Sequence, residues 1–239
     1  FLIVMILTVV LVRGIRESAE ANNTMVILKI AAILAFIIAG AHYIHPELWH
    51  PFAPMGWSGI LTGGSIIFFT YIGFDSVSTA AEEAKNPQRD LPIGIIATLV
   101  VCTILYIGVA VVLTGLVPWE SVRDDAAPVV NSIKHLSEVV GSSSLRWIRL
   151  GVLFGAMLGM ISSLLVFQLG QARVWFSMSR DGLLPKLFSY VHPKFRTPST
   201  ATWIAGFAVG VPAGILDIGT LSDLSNIGTL FAFVLVSLG

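Results

Sequence analysis

Long apolar runs separated by shorter polar segments dominate the chain. Five of these runs are each about long enough to cross a bilayer, and they cover residues 24–41, 58–81, 93–117, 148–176 and 200–216. Two shorter runs at 1–12 and 226–239 predict partial spans, so we expect both ends of the chain to be cut. The runs lack the alternation of membrane strands, and lipid requires a spanning segment to satisfy its own backbone hydrogen bonds. The pattern therefore predicts an all-α membrane protein, with residues 1–239 forming part of one transmembrane domain.

The composition agrees with a chain that lies in lipid. Hydrophobic residues make up 55% of the sequence, charged residues make up 12%, and the formal net charge is zero. A neutral chain without a basic stripe gives no reason to expect nucleic acid as a partner. The single cysteine, Cys102, lies within an apolar run, and the sequence shows neither a catalytic triad pattern nor a phosphate-binding loop. We therefore expect no enzyme activity and no cofactor.

Lysine and arginine residues are concentrated in alternate connections, which predicts the orientation of the chain. The basic connections contain Arg13, Arg16, Lys85, Arg89, Arg180, Lys186, Lys194 and Arg196. The connections at 42–57 and 217–225 contain neither residue type. The basic connections are therefore predicted to be cytoplasmic.

The predicted external connections hold one amphipathic segment and three histidines. Pro128 is suited to the first turn of a helix, and the apolar residues behind it share one stripe, formed by Val129, Ile133, Leu136 and Val140. This segment is expected to be a short helix on the membrane surface. The histidines lie among proline and tryptophan residues typical of a membrane interface, and they are His42, His45 and His50. We expect no metal site there.

The second apolar run differs from an ordinary membrane helix because Gly73 and Asp75 lie near its middle. A carboxylate at that depth is costly unless it is paired, hydrogen-bonded or next to a cavity. Asp75 followed by Ser76 is suited to cap the start of a half-helix, and Gly73 tolerates backbone outside the helical region. We therefore predict two half-helices joined by a non-helical stretch within Thr70 to Asp75. Such breaks bind solutes in many transporters, where carbonyls face cationic groups and helix N-termini face anionic ones.

Three segments of the chain resemble the amino acid, polyamine and organocation transporter family, and in particular its bacterial members similar to cationic amino acid transporters. The segments are FFTYIGFDSVSTAAEEAKNPQRDLPIGI, SRDGLLPKLF and RESAEANN. The resemblance implies a LeuT-like fold of two inverted five-helix repeats. On that scheme the chain extends from the end of helix 4 to part of helix 10, so helix 1, which holds the substrate carboxylate in the family, is absent.

The resemblance also implies a substrate site at the broken helix. The carbonyls of Phe69 and Ile72 are expected to accept the substrate's amino group, the Phe69 ring to close over it, and Thr70 and Gly73 to belong to the same segment. From the residues alone, Phe69 is better explained as an ordinary packing aromatic in an apolar helix, and only the adjacent break supports a role in the site. The fourth whole run, 148–176, is helix 8 on that scheme and the first, 24–41, is helix 5, and Met160 of helix 8 could form an apolar wall of the pocket.

Lys29 lies inside the first whole apolar run, where an ammonium has three possible environments. It can reach back to the cytoplasmic interface, pair with Asp75, or face the helix 8 serines, Ser162 and Ser163. The resemblance favours the third environment, because a helix 5 lysine in proton-driven members replaces the cation of sodium-driven ones. Lys29, Ser162 and Ser163 are therefore expected to couple transport to protons.

The sequence thus predicts a proton-coupled amino acid transporter of the cell membrane that works by alternating access. An exchanger without proton coupling and a channel or proton-translocating subunit are the alternatives, although a channel would need more ionisable groups inside its spans. The amino acid carried is left open, as is whether a small single-span membrane protein binds at the side.

Overall fold

A computed structural model describes residues 1–13, 15–73, 86–123, 125, 127–141 and 143–238. Within these residues the regular structure is helical, with no strands, in agreement with the predicted all-α class. The α-helices are α1 (Leu2–Arg13), α2 (Ile15–Ala41), α3 (Gly56–Tyr71), α4 (Pro87–Leu116), α5 (Trp119–Val122), α6 (Pro128–Val140), α7 (Ser143–Arg180), α8 (Ser199–Ile215) and α9 (Ile218–Leu238). Short 3₁₀ helices occur at Pro46–Trp49 and Lys186–Ser189.

Four of the described helices contain segments long and apolar enough to cross a membrane. These segments are Asn22–Ala41, Pro87–Leu116, Leu145–Arg180 and Ile218–Leu238. Two further apolar helices, α1 and α8, are shorter. An α-helix satisfies its own backbone hydrogen bonds, so side chains of these segments can face lipid without exposing unpaired backbone groups.

Helix α9 begins earlier than the apolar run predicts. The expected external loop at 217–225 is helical from Ile218 onward, and the 21 residues of α9 are more than the partial span predicted at 226–239. Asp217 explains the early start, because its carboxylate accepts hydrogen bonds from the Thr220 amide (2.9 Å) and from the Thr220 hydroxyl (2.7 Å). An acceptor at this position satisfies one of the unpaired amides at a helix N-terminus.

The chain divides into two compact units. One unit comprises Phe1–Glu20, Gly63–Ile96 and Ser163–Gly239, and the other comprises Ala21–Thr62 and Ala97–Ser162. Helices α2, α3, α4 and α7 contribute residues to both units.

Buried polar contacts join α1, α7 and α8 in the first unit. The Gln168 amide donates a hydrogen bond to the Thr8 hydroxyl, which in turn donates to the Val4 carbonyl at 2.8 Å. Gly206 of α8 lies so close to the Thr8 side chain that a Cβ at this glycine would collide with it. The Thr197 hydroxyl donates to the carbonyl of the last but one residue of α1 at 2.8 Å. The buried side chains of Thr8, Gln168 and Thr197 therefore each have a hydrogen-bond partner, as a low-dielectric interior favours.

An apolar cluster holds the second unit together. Phe36, Val112, Ile133 and Val152 come from α2, α4, α6 and α7, and each is at least 94% buried. Helix α6 begins at Pro128, as predicted, and Ile133 is the member of its apolar stripe that enters the cluster. The amphipathic segment is thus a helix whose apolar side packs on its own unit.

Candidate functional site

Helix α3 ends inside the second apolar run, at Tyr71. Ile72 and Gly73 form a turn directly after it, and Gly73 has a φ of 123°. Helical residues have φ near about −63°, and positive φ is readily adopted by glycine alone. The run is therefore not a continuous helix through Gly73, in agreement with the predicted interruption. Asp75 and the predicted second half-helix lie outside the described residues.

The carbonyl end of α3 has the polarity that a positively charged group requires. Carbonyls of a last helical turn point along the helix axis and give this end partial negative charge. Phe69 belongs to this last turn, and Ile72 lies in the turn directly beyond it. The Phe69 side chain, predicted to close the site, lies outside the described residues. The Thr70 hydroxyl donates to the Ile67 carbonyl at 2.7 Å, so it stabilises the backbone of this turn.

A phenylalanine that the sequence analysis missed contacts the interruption. A Cβ placed on Gly73 would lie 3.2 Å from Cζ and 3.7 Å from Cε1 of Phe167, which belongs to α7. The ring therefore covers the face of Gly73 where any other residue would carry a side chain. Nothing in the chain's periodicity signals this contact, because it joins residues 94 positions apart.

In the second unit, helices α2 and α7 pack closely along a seam of small residues. Ser162 donates a hydrogen bond of 2.6 Å from its hydroxyl to the Asn22 side-chain oxygen. Further along α2, a Cβ added to Gly155 would collide with the Cβ of Ala32. Rising numbers on α2 meet falling numbers on α7, so the two helices are antiparallel. Small residues allow this approach, as is common between membrane helices.

Lys29 lies on this seam between the two contacts. A Cβ added to Gly159 would be 3.6 Å from Lys29 Cδ and 3.9 Å from Lys29 Cβ, so the lysine stem lies over the glycine. Side chains of a helix tilt toward its N-terminus, which directs Lys29 toward Asn22 and, on the antiparallel partner, toward Ser162. The structure therefore places Lys29 against α7 at Gly159, which is three residues before Ser162 and four before Ser163.

The two predicted serines and Met160 have different surroundings. Ser162 is 1% exposed and bonds Asn22, whereas Ser163 is exposed. Met160 is 62% exposed on α7. Sequence reasoning missed Asn22, although its position seven residues before Lys29 places both on one face of α2.

His42 and His45 of the 42–57 connection make contacts of ordinary loop residues. The His45 amide donates to the Gly115 carbonyl at 2.9 Å, and the His42 and Tyr43 rings meet edge to face with centroids 5.2 Å apart. Among the described residues no group of three or more His, Cys, Asp or Glu side chains could hold a metal ion.

The described residues contain several long apolar helices, a helix that ends inside an apolar run and a close contact between two helices, and these features are typical of a multi-pass membrane protein. The chain matches the model of the amino acid permease family over residues 1–239 and belongs to that family, as its motifs indicated. The family is one of permeases rather than enzymes.

Three relatives from bacteria and plants illustrate the breadth of this similarity. The chain is 47% identical over 237 residues to the branched-chain amino acid permease BcaP of Bacillus subtilis, and 43% identical over 236 residues to the methylthioribose transporter of the same organism. It is 42% identical over 232 residues to cationic amino acid transporter 9, chloroplastic, of Arabidopsis thaliana. These alignments cover 99%, 99% and 97% of the chain, but 50%, 50% and 39% of the relatives. The chain thus spans about half the length of the bacterial relatives.

Proposed function

We propose that the protein is a secondary active amino acid transporter of the plasma membrane. The chain is proposed to contribute the end of helix 4 to part of helix 10 of a LeuT-like inverted-repeat fold. On this assignment α1 belongs to helix 4, α2 is helix 5, α3 begins helix 6, α4 is helix 7, and α7, α8 and α9 are helices 8, 9 and 10. Membership of the permease family supports this proposal.

The interruption of α3 carries the proposal. Its last turn presents carbonyl dipoles at the point where Gly73, with a φ of 123°, turns the chain away from the helix. An α-amino group is a compact cation with three donors, and the carbonyls of Phe69 and Ile72 are suited to accept from it. Thr70 and Gly73 shape this turn, and Asp75 is proposed to cap the half-helix that follows.

Lys29 is proposed to couple transport to protons. Its stem packs on Gly159 of the facing helix, one turn from Ser162. A charged group between two closely packed membrane helices is costly unless it is paired, hydrogen-bonded or next to a cavity. Loss of the charge weakens the interactions that hold α2 and α7 together at Lys29. The protonation state of Lys29 can therefore shift the equilibrium between the two conformations of alternating access. Ser162 and Ser163 complete the proposed coupling group.

Neutral amino acids are the proposed substrates. Met160, an apolar side chain exposed on α7, is proposed to line the pocket and to disfavour long cationic side chains. The similarity to a branched-chain amino acid permease supports this choice. The similarity to a methylthioribose transporter makes uptake of a thiosugar the second candidate.

Uptake into proteoliposomes tests the proposal. The purified protein is reconstituted, an inward proton gradient is imposed at constant membrane potential, and radiolabelled leucine, alanine, arginine and methylthioribose are supplied separately. Concentrative uptake of leucine or alanine that collapses with the gradient is the expected result. Uptake that depends only on preloaded amino acid indicates an exchanger, and uptake of methylthioribose alone contradicts amino acid transport.

A further inference from the structure

The Phe167 ring and Gly73 form a close contact between α7 and the interruption of α3. The nearest ring atom, Cζ, would lie 3.2 Å from a Cβ at Gly73, which is tighter than most contacts in proteins. Two independent features of position 73 therefore favour glycine. One is the positive φ of its backbone, and the other is the space that the ring occupies.

The helix that presents Phe167 is firmly held beside the ring. On α7, Leu165 and Ala172 are 3% and 0% exposed, and the Gln168 amide bonds the Thr8 hydroxyl of α1. These buried neighbours of Phe167 define the position of the helix backbone. The ring is consequently presented to Gly73 by a part of α7 that is itself packed and hydrogen-bonded within the unit.

Phe167 is not itself a core residue of its unit. Its side chain is 46% exposed, in contrast to its buried neighbour Gln168. Ser163, four residues earlier, and Met160, seven residues earlier, lie on the same face of α7 and are also exposed. One edge of the ring thus contacts Gly73. The rest of the ring lies on the exposed face of α7 that Ser163 and Met160 share.

We propose that Phe167 is a positioning residue for the substrate site, which rests on the proposed function of α3. The ring supports the turn at Gly73 and thereby fixes the direction in which the last carbonyls of α3 point. An N–H bonds a carbonyl well when it points within about 30° of the oxygen, so the position that the turn gives these oxygens affects the affinity for the amino group. Phe167 acts through Gly73 and needs no contact with the substrate.

A pair of phenylalanine variants on α7 separates this role from simple packing. Phe167→Ala removes the ring, and Phe167→Leu removes its outer edge with less loss of volume. Phe154→Ala is the matched control, because Phe154 lies on the same helix, is 59% exposed, and is 13 residues away. That separation corresponds to roughly 140° around the helix. All variants are compared at equal amounts of reconstituted folded protein.

The readout is the preference for an α-amino group. Uptake of labelled leucine is competed with unlabelled leucine and with its 2-hydroxy analogue, which lacks the amino group. Phe167→Ala is expected to raise the KM for leucine about fivefold with little change in kcat, and to reduce the preference for leucine over the analogue by a similar factor. Phe167→Leu is expected to show a smaller change in the same direction, and Phe154→Ala none.

The outcomes distinguish this inference from the proposed function. If the parent protein transports no amino acid, the proposed function fails before Phe167 is considered. If the parent prefers leucine and both Phe167 variants retain that preference, Phe167 is a packing residue and the inference is wrong. Should Phe167→Ala fail to fold, Phe167→Leu alone decides, since an unchanged preference in that variant equally overturns the proposal.

Discussion

The Ser162 hydroxyl donates a 2.6 Å hydrogen bond to the Asn22 side-chain oxygen and so links α7 to α2. Both residues lie near the predicted cytoplasmic end of α2, beyond the Gly159 position over which Lys29 lies. Hydrogen bonds between helices in a membrane have few competing solvent partners, so this link contributes to the contact between α2 and α7.

Removal of this hydrogen bond is expected to weaken the α2–α7 contact modestly. In a double-mutant cycle, Asn22→Ala and Ser162→Ala should show a coupling of about 0.5–1.5 kcal/mol in the free energy of unfolding, the range for hydrogen bonds between membrane helices. The measurement is equilibrium unfolding in mixed detergent micelles. Ser163→Ala serves as control, since Ser163 is exposed, and its cycle with Asn22→Ala should show no coupling. Additive effects in the first cycle argue against the bond.

A methyl group at Gly155 is expected to separate the same two helices. Its Cβ would collide with Ala32, so Gly155→Ala should destabilise the protein by about 1–3 kcal/mol through overpacking. Gly151→Ala is the matched control on α7, because no atom lies within 4 Å of a Cβ at that position. The control should leave stability unchanged or raise it slightly, since alanine favours helix over glycine. Equal unfolding free energies for both variants would show that α2 and α7 are not in close contact at Gly155 and Ala32.

Loss of the Lys29 charge is expected to abolish the response to a proton gradient. Lys29→Met keeps most of the stem that packs on Gly159, whereas Lys29→Ala removes both stem and charge. For one proton per substrate, a gradient of one pH unit drives about tenfold accumulation in the parent, and both variants should lose it. Uptake is measured with and without the gradient at constant membrane potential. A variant that retains full accumulation removes Lys29 from the mechanism.

Met160→Ser is expected to admit arginine. The shorter, polar side chain leaves room for a long cationic substrate, whereas the methionine favours small neutral ones. Competition of labelled leucine uptake by arginine measures the change, and a tenfold or greater gain in inhibition corresponds to about 1.4 kcal/mol. Phe154→Ser is a suitable control, because Phe154 is also exposed on α7 but lies six residues away, roughly 120° around the helix. Identical competition profiles for the parent and Met160→Ser would show that Met160 does not line the substrate pocket.

Protonation of Asp217 is expected to loosen the start of α9. Hydrogen bonds from the Thr220 amide and hydroxyl lower the pKa of Asp217 below its ordinary value of 3.8. A carboxyl group with a lowered folded-state pKa adds stability above its unfolded pKa, and that stability is lost as the pH falls through the folded pKa. The Tm of the parent should therefore fall more steeply below about pH 4 than the Tm of Asp217→Asn. The asparagine can also accept the hydrogen bond from the Thr220 amide, but it does not titrate. Parallel pH profiles contradict this role.

Some local features of the fold were readable from single segments of the chain. Pro128 followed by a helical stripe predicted α6, and Gly73 inside an apolar run predicted the end of α3, because glycine and proline act on the backbone of their own residue. The end of the loop before α9 was misplaced, since Asp217 was treated as a loop residue although it caps the helix. The sequence thus contained the residue that caps α9, but the hydropathy pattern gave a stronger indication of where the helix begins.

The sequence by itself determined that the protein is helical, lies in the membrane and belongs to the permease family, since each property depends on composition, periodicity or motifs along the chain. Only the tertiary structure decided that Ser162 bonds Asn22 while Ser163 is exposed, and that Phe167 covers Gly73. Periodicity tells which residues share a face of α7, but many of its positions are small or apolar and fit several neighbours equally well. The partner of each face depends on how the helices cross, which distant residues decide together.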